Sequence, residues 1–356
     1  MSNYIEFENK MAFHPGYYIK ELVDESGLTQ EDFAKRLGTT PKNLSVLISG
    51  VQSLSIEMAE KLSRFTGTSV SYWLNMQQTY DEVLAAQHYR EELNKEKEIM
   101  KYINYSYFRE YFNFPDLARK IEEQIVVLRE FLNVASLTVF GNVDFAVSFR
   151  SGVPKLSLSN IIKSNIMVQM AVNETLKTEA PKYNKNAFKQ AVSFALTQTK
   201  NDLDYIDLVK ESFRKAGVIL VVLPNLKGSG IHGATKKVDG KMMLMVNDRR
   251  HYADTFWFSL FHEAGHILSG ELGGSMVDDK EYIADSFASN ILIPEDKYNL
   301  FIQKYKDSIS YDAIIEFADS IDQDPGIVYG RLQNDKYIPF AEKRIAGLVR
   351  KKIKIS

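Results

Sequence analysis

The chain has 356 residues, more than one hydrophobic core usually organises, so we expect two or three domains. Hydrophobic residues make up 45% and charged residues 25%, as in globular proteins. The net charge of -2 does not indicate what kind of partner the protein binds. Cysteine is absent, which excludes disulfides and thiolate metal sites and leaves His, Asp and Glu as metal ligands. Residues 1–10 lack a signal-peptide pattern and no apolar run approaches the ~18 residues of a membrane span, so we expect a cytoplasmic protein without membrane contact.

Capping signals predict a series of short helices in residues 1–80. Thr29 suits an N-cap, and Gly38 suits the left-handed position that ends a helix. Thr40 and Pro41 suit the cap and first turn of the next helix, which Gly50 ends. Two short helices joined by a turn around Gly38 are typical of a helix-turn-helix unit. The predicted helices cover residues 16–26, 30–37, 41–49, 55–65 and 69–78.

The second helix of such a unit faces the DNA major groove near its start. The residues there are Thr40, Lys42, Asn43 and Ser45, which can reach base edges or phosphates, and Gln30 opens the preceding helix. Residues 33–56 hold three basic residues and no acidic one, but residues 14–80 hold six basic and seven acidic residues. We therefore expect modest affinity, which a dimer would increase. The alternative is a small helical module used only for protein contacts.

Residues 13–82 carry a distinctive set of short motifs. They are His14-Pro15-Gly16, Leu28-Thr29-Gln30-Glu31, Ala34, Leu37-Gly38, Leu44-Ser45, Trp73-Leu74-Asn75-Met76-Gln77 and Tyr80-Asp81. With these motifs the region resembles the HigA family of antitoxins, whose members are Xre-type repressors that bind their own operator and neutralise a partner toxin. The resemblance implies an operator in double-stranded DNA, a homodimer and a toxin partner.

The middle of the chain, residues 83–215, is interpreted as a helical connector and scaffold. Residues 82–100 are charged and lack Gly and Pro, and residues 116–132 form an amphipathic helical pattern. Seven aromatic residues crowd residues 102–114. Such residues either pack in a core or stack on single-stranded nucleic acid, and the shortage of interleaved cations favours packing.

A different pattern begins after Gly217. Residues 218–223 form a continuous apolar run typical of a buried strand. Residues 232–238 and 242–246 flank Asp239-Gly240, which predicts a tight hairpin. Residues 252–269 then read as a helix. The predicted fold is multidomain: an all-α helix-turn-helix domain, a helical connector and an α+β, zincin-like C-terminal domain with a small sheet.

The predicted helix over residues 252–269 contains His262-Glu263-Ala264-Gly265-His266. Two histidines four residues apart lie one turn apart on one helix face, so both rings can bind one metal ion. Glu263 lies about 100° away around the axis, so it is placed to accept a proton from metal-bound water rather than to ligate. The alternative is that the two histidines lie on the helix surface, with Glu263 between them by chance, and bind no metal.

A second helical stretch supplies further ligands. Glu281 and Asp285 are four residues apart, hence on one face, and Pro294 ends the helix. One carboxylate can complete a three-ligand zinc site with an open fourth position, while the other accepts a hydrogen bond from a ligand histidine. We predict that His262, His266 and Glu281 bind zinc and that Asp285 orients a ligand.

These residues resemble the ImmA/IrrE family of metallopeptidases over residues 217–335. That family has an HExxH helix followed by a helix of the form Glu-x-x-Ala-Asn-x-Phe-Ala ending in Leu-x-Pro. Asp285 stands here where the family usually has Asn. The resemblance is carried by His262-Glu263-Ala264-Gly265-His266, Glu281, Ala284, Phe287-Ala288 and Ile293-Pro294, with Asp254-Thr255-Phe256-Trp257-Phe258, Pro325-Gly326-Ile327-Val328 and Gly330-Arg331-Leu332-Gln333 as further family features.

The resemblance implies zinc-dependent peptide hydrolysis with Glu263 as the general base. His232 follows a glycine-rich segment and is a candidate for substrate or oxyanion binding, although it also fits a turn residue beside an edge strand. Residues 342–356 carry six basic residues and one acidic residue, which fits either a solvated terminal helix or an arm that contacts phosphates. We place the domains at residues 1–82, 83–215 and 216–340, with a basic tail over 341–356.

We expect a DNA-binding regulator with a zinc endopeptidase that cleaves a cognate repressor, an antitoxin or itself. The alternative is a DNA-binding antitoxin whose zinc domain senses or scaffolds without proteolysis. The intact Glu263 favours the enzyme, because a structural zinc site does not need this residue. A broad degradative peptidase fits poorly with a fused DNA-reading module.

Overall fold

The computed structural model describes residues 4–143, 157–201, 205–270 and 278–353. The chain divides into two compact units, Met1–Lys95 and Glu96–Ser356, and the division falls inside one long helix. The domain boundaries at residues 82, 215 and 340 stay predictions. None of the helices in these described ranges combines the length and apolar character that a membrane crossing requires.

The first unit begins with a two-stranded antiparallel hairpin that the sequence patterns did not indicate. Strand β1 (Tyr4–Phe7) pairs with β2 (Lys10–Phe13), and the two turn residues Glu8 and Asn9 have positive φ. Five helices follow: α1 (Pro15–Glu25), α2 (Gln30–Leu37), α3 (Pro41–Ile48), α4 (Ile56–Thr66) and α5 (Val70–Met100).

The predicted capping residues hold the ends of these helices. Thr29 Oγ1 accepts from the backbone N–H of Asp32, and Thr40 Oγ1 accepts from that of Asn43. Gly38 has φ 70°, which a side chain would strain, and ends α2. The helices bury one shared core that includes Ile19, Phe33, Leu37, Leu44, Leu62 and Trp73. The predicted helix-turn-helix unit is thus formed by α2 and α3.

Helix α5 is longer than the sequence patterns predicted. Residues 69–78 and 82–100 belong to one helix of 31 residues rather than to two. No Gly or Pro interrupts residues 70–100, so nothing in the local sequence ends the helix between them.

The second unit starts with helices. They are α6 (Tyr105–Phe112), α7 (Ile121–Leu132), α8 (Leu158–Lys177), α9 (Lys185–Thr197) and α10 (Tyr205–Lys215), with a 3₁₀ turn over Leu137–Gly141. Helix α7 begins later than predicted, because Arg119 has φ 67° and breaks the helical path. Phe108 is fully buried, and its ring contacts those of Phe114 and Phe131, which supports packing as the role of this aromatic cluster.

A three-stranded sheet lies at the centre of the second unit. Strand β3 (Val218–Leu223) pairs in parallel with β5 (Lys241–Asn247), and β4 (Gly233–Val238) pairs with β5 in an antiparallel hairpin, giving the order β3-β5-β4. The hairpin turns at Asp239 and Gly240, both with positive φ, as predicted. Phe188 of α9 and Phe213 of α10 share one core with the sheet, so residues 96–215 include part of this domain rather than only a connector.

Helices complete the second unit. They are α11 (Ala253–Ser269), α12 (Asp278–Leu292), α13 (Glu295–Tyr305), α14 (Tyr311–Ser320), α15 (Pro325–Asn334) and α16 (Ala346–Val349). Together with the sheet they form the α+β C-terminal domain that the sequence predicted.

The basic residues after α16 are folded against the start of α11. Arg350 forms an ion pair with the buried Asp254 at 2.7 Å, and Lys351 forms one with Asp324 at 2.9 Å. The backbone N–H of Ile353 donates to His251 O, and the Ile353 side chain is buried. Lys352 is exposed and residues 354–356 lie outside the described residues, so the structure differs from a solvated tail at Arg350, Lys351 and Ile353.

Candidate metal centre and DNA-contacting surface

Helix α11 directs two imidazoles toward one point. His262 and His266 are one helical turn apart, and their Nε2 atoms are 3.1 Å apart. The other side of α11 is fixed in the core by Trp257, Phe261 and Ala264, which are buried. Packing of the apolar face therefore determines where both imidazoles point.

Helix α12 adds two carboxylates at the same place. Glu281 Oε2 lies 3.4 Å from His262 Nε2, and Glu281 Oε1 lies 3.6 Å from His266 Nε2. One turn further along α12, Asp285 Oδ1 lies 2.9 Å from His262 Nδ1. Glu281 thus faces the nitrogens that could bind a metal, whereas Asp285 faces the far nitrogen of His262 and can fix the orientation of its ring.

The two helices approach closely at Gly265. A Cβ atom at this position would lie 3.1 Å from Phe287 Cδ1 and 3.3 Å from Ala284 Cα. A larger residue would therefore push α12 away from α11. Since α12 carries Glu281 and Asp285, the small residue inside the motif helps to bring the acids to the imidazoles.

The donor atoms lie at distances near those of a tetrahedral metal site. Zinc bonds of about 2.0–2.1 Å place ligand atoms about 3.3–3.4 Å apart in a tetrahedron. The two Nε2 atoms are 3.1 Å apart, Glu281 Oε2 is 3.4 Å from His262 Nε2, and Glu281 Oε1 is 3.6 Å from His266 Nε2. With one donor atom taken from each residue, all three atoms lie within 4.8 Å of one another. These three residues form the group of potential metal ligands found within the described ranges. The sequence prediction of three ligands on two helices is therefore compatible with the geometry.

The electrostatics of the site favour a cation. Burial lowers the pKa of His262, but hydrogen bonds with Asp285 and Glu281 and the charge of Glu263 outweigh it and raise the pKa to about 9. Three carboxylates around two imidazoles thus stabilise positive charge, which a divalent metal ion provides without protonating the histidine.

Glu263 is held against strand β4 rather than among the metal ligands. The residue is buried, and a Cβ atom on Gly233 would lie 2.6 Å from Glu263 Oε1 and 2.8 Å from its Cδ. Only glycine at the start of β4 leaves room for this carboxylate. Sequence reasoning missed Gly233, although a glycine inside a strand pattern often marks such a close approach.

His232 lies beside a different partner. Its Nε2 is 3.0 Å from Nη1 of Arg249, which also donates to Gly230 O. His232 does not belong to the potential metal ligands found within the described ranges. A role in binding substrate stays a prediction.

The residues predicted to contact DNA lie at the start of α3 and α2. Lys42 and Ser45 are exposed, and Asn43 Nδ2 donates to Thr39 Oγ1. Thr40 caps α3, so part of its hydrogen-bonding capacity is used within the protein. Gln30 Nε2 lies 3.5 Å from Pro41 O and connects the two helices.

Charge on this surface is unevenly neutralised. Lys35 pairs with Glu31 at 2.9 Å. Arg36 and Lys42 are exposed and make no ion pair with any residue in the described part of the chain. Two unneutralised cations near the start of α3 are available for an anionic partner such as a phosphate backbone.

Fold and site together define a helix-turn-helix regulator joined to a peptidase-type domain. A helix-turn-helix family model matches residues 19–73, and the model of the IrrE N-terminal-like domain, peptidase family M78, matches residues 216–319. Through its N-terminal residues the chain belongs to the helix-turn-helix transcriptional regulators, and its C-terminal part is an IrrE N-terminal-like domain.

Curated relatives match about a fifth of the chain. The HTH-type transcriptional regulator YddM of Escherichia coli is 40% identical over 73 residues, which is 20% of this chain and 78% of YddM. Virulence-associated protein A′ of Dichelobacter nodosus is 41% identical over 69 residues, 19% of this chain and 60% of that protein. One solved structure is that of a protein from Nostoc punctiforme described as an antidote of a plasmid maintenance system. Its sequence is 30% identical, and the match covers 24% of this chain and 92% of the Nostoc protein, with a TM-score of 0.23.

Proposed function

We propose that this protein is a DNA-binding transcriptional regulator with zinc-dependent endopeptidase activity. The observation that carries the proposal is the placement of Glu263. This carboxylate is buried against Gly233, close enough to His262 for its charge to raise the pKa of that imidazole, and it lies outside the ligand set of His262, His266 and Glu281. A purely structural zinc site has no need of such an additional acid.

The roles of the residues follow from their positions. His262, His266 and Glu281 hold the ion, and Asp285 keeps the His262 ring in place through its Nδ1. A bound zinc ion supplies Lewis acidity and a water molecule of lowered pKa. Glu263 accepts a proton from the water molecule that attacks the peptide carbonyl, and it donates this proton to the leaving amine.

The helix-turn-helix unit gives this chemistry a regulatory setting. We propose that a homodimer binds an inverted repeat in double-stranded DNA through Gln30, Thr40, Lys42, Asn43 and Ser45. The peptidase then cleaves a cognate repressor, an antitoxin or the chain itself. The resemblance of residues 13–82 to HigA antitoxins further suggests a toxin partner.

The substitution Glu263→Gln tests the enzyme hypothesis. The amide has nearly the shape of the carboxylate but cannot accept the proton, so zinc, fold and DNA binding should persist while cleavage falls about 10²- to 10⁴-fold. The assay co-expresses the chain with the proteins encoded beside its gene and detects fragments by mass spectrometry. The matched control is Glu295→Gln, which removes the same charge from the exposed start of α13.

The outcomes separate enzyme from scaffold. Fragments that appear with the wild type and Glu295→Gln but not with Glu263→Gln support proteolysis. Fragments that persist unchanged in Glu263→Gln come from another protease and contradict the proposal. If the wild type binds zinc and operator but cleaves nothing, the function is that of an antitoxin whose zinc domain senses or scaffolds.

A further inference from the structure

One edge of the central sheet has no strand beside it among the described residues. The strand order is β3-β5-β4, so β3 pairs with β5 on one side only. No described residue forms a hydrogen bond with the backbone of β3 on its other side. Alternate residues of an edge strand direct their N–H and C=O groups outward, and such groups need water or another strand as partner. The edge of β3 is therefore able to pair with an added strand.

A cavity runs along this edge. It has a volume of about 480 Å³ and is lined by residues 219–223 of β3 and by residues of α8 and α10. Consecutive side chains of a strand point to opposite faces of a sheet, so a cavity lined by five residues in sequence faces the edge of the strand. At about 3.3 Å per residue these five span about 17 Å, which suits a peptide of about the same length. We call this cavity the β3 groove.

Two helices on opposite faces of the sheet form the walls of the β3 groove. Phe213 of α10 packs in one core with Leu220. Met170 of α8 is buried outside that core, as is Ile219, whose side chain points to the opposite face from Leu220. Helix α8 also contacts all three strands. The groove thus lies between one helix on each side of the sheet, where an added strand would continue the sheet.

The α10 wall is charged. Its residues recur at helical spacing, and they are Asp207, Lys210, Glu211 and Arg214. Arg214 pairs with Glu211 at 2.7 Å. Acidic and basic groups thus alternate along this wall, which is complementary to a strand that carries charges of both signs.

The α8 wall has an apolar interior. Met170 is buried in it, and the rings of Phe112 and Phe131 contact each other beside it, with centroids 5.3 Å apart. Asn173 of α8 donates to the backbone O of Phe131, which holds this ring pair next to α8. Lys177 is exposed and lines the groove from its outer side. Since a strand presents alternate side chains to its two faces, a segment of alternating apolar and charged residues would match both walls.

We propose that the β3 groove binds an extended segment of a partner protein as an added strand of the sheet. Apolar residues of this segment face the α8 wall, and alternating acidic and basic residues face the α10 wall. Strand β4, against which Glu263 is buried, lies at the opposite edge of the sheet, and none of the candidate metal ligands lines the groove. The inference therefore does not rest on proteolysis, because an enzyme and a scaffold can both dock a partner here.

Hydrogen–deuterium exchange with a designed peptide tests the groove. The probe is an acetylated heptapeptide amide with valine at the odd positions and lysine, glutamate and lysine at the even positions. At about 1 mM it occupies about nine tenths of the full-length, zinc-loaded protein if its Kd is about 0.1 mM. The outward amides of β3 should exchange readily in the free protein and about tenfold more slowly with the peptide, since only the unoccupied tenth exchanges. No slowing at this concentration would overturn the inference.

Methylation of the peptide backbone shows whether the peptide binds as a strand. Only alternate N–H groups of an added strand donate to β3, and these belong either to the valines or to the charged residues. One probe carries N-methyl groups on the valines, and a second carries them on the charged residues. One of the two should lose the protection of β3 and the other should keep it. Equal behaviour of the two probes would overturn strand addition.

Two variants on α8 provide the matched comparison. Lys177→Trp places a large ring at a position that lines the groove and should abolish most of the protection, because the ring occupies space that the peptide needs. Leu176→Trp adds the same ring at the neighbouring exposed position, outside the groove lining, and should leave the protection unchanged. Equal protection in the two variants would contradict docking in the groove.

Other occupants of the groove give different results without the peptide. Slow exchange of all β3 amides in the dilute free protein would show that the edge is already covered, and would overturn the inference. Protection that increases with protein concentration, together with dimer formation in sedimentation, would assign the groove to a second copy of the chain and would also overturn it. A wild type that cleaves nothing contradicts the proposed peptidase and leaves the exchange results unaffected, so the two proposals fail separately.

Discussion

The proposed DNA-contacting surface, formed by Gln30, Thr40, Lys42, Asn43 and Ser45, and the candidate metal centre assemble their functional groups in opposite ways. The first uses exposed residues and the half-buried Asn43 within 16 consecutive positions, 30–45, supported by local caps such as Thr40. The second uses buried or half-buried residues from α11 and α12, which approach each other at Gly265, together with strand β4. We infer that the DNA-contacting surface loses function gradually as contacts are removed, whereas the metal centre fails as a unit.

The largest effect is expected for the metal ligands. His262→Ala or His266→Ala leaves two donors where zinc requires at least three, and each should eliminate nearly all bound metal. Elemental analysis of protein purified without added metal should find about one zinc per wild-type chain. His251→Ala, at an exposed histidine just before α11, is the control and should keep the ion. Full retention in either ligand variant would contradict the assigned site.

The contact between strand β4 and Glu263 predicts the next largest effect. Gly233→Ala places a Cβ atom 2.6 Å from Glu263 Oε1, so the carboxylate must move. A displacement of about 1 Å at a reacting group typically costs about 10²-fold in rate, and zinc content should not change. Lys237→Ala, on the exposed side of the same strand, is the control. Unchanged activity in Gly233→Ala would show that the Glu263 carboxylate keeps its productive position despite the added Cβ atom.

A smaller effect is expected where Asp285 supports a ligand without binding the ion. Asp285→Ala removes the hydrogen-bond partner of His262 Nδ1 and should weaken zinc affinity about 10- to 100-fold. Competition titration with a chromophoric chelator measures the change. Asp285→Asn keeps a hydrogen-bond acceptor and should lose less. Equal losses in both variants would show that the negative charge, rather than the hydrogen bond, supports the site.

The smallest effects are expected at the DNA-contacting surface. Lys42→Ala removes an exposed cation that has no ion-pair partner within the described residues, so affinity for operator DNA should fall for all sequences. The slope of log affinity against log salt should decrease by about 1. Lys35→Ala, at a cation already paired with Glu31, is the control and should change the slope less. A stronger effect for Lys35→Ala would place the DNA on a different face.

The sequence by itself determined what depends on neighbouring residues. Thr29, Gly38 and Thr40 predicted the ends of α2 and α3, and these predictions are confirmed because caps act within a few positions of the chain. The hairpin at Asp239-Gly240 is confirmed for the same reason. Histidines four residues apart must share a helix face, so local periodicity also indicated this pair of candidate metal ligands.

Only the tertiary structure decided which distant residues meet. No spacing rule connects Gly233 with Glu263, or Arg350 with Asp254. Such contacts arise when packing of a shared core fixes the directions of separate helices and strands. The same reason explains why the basic residues after α16 looked like a solvated tail in sequence. Asp254, the acidic partner of Arg350, lies 96 residues earlier in the chain, and local sequence patterns do not span such a separation.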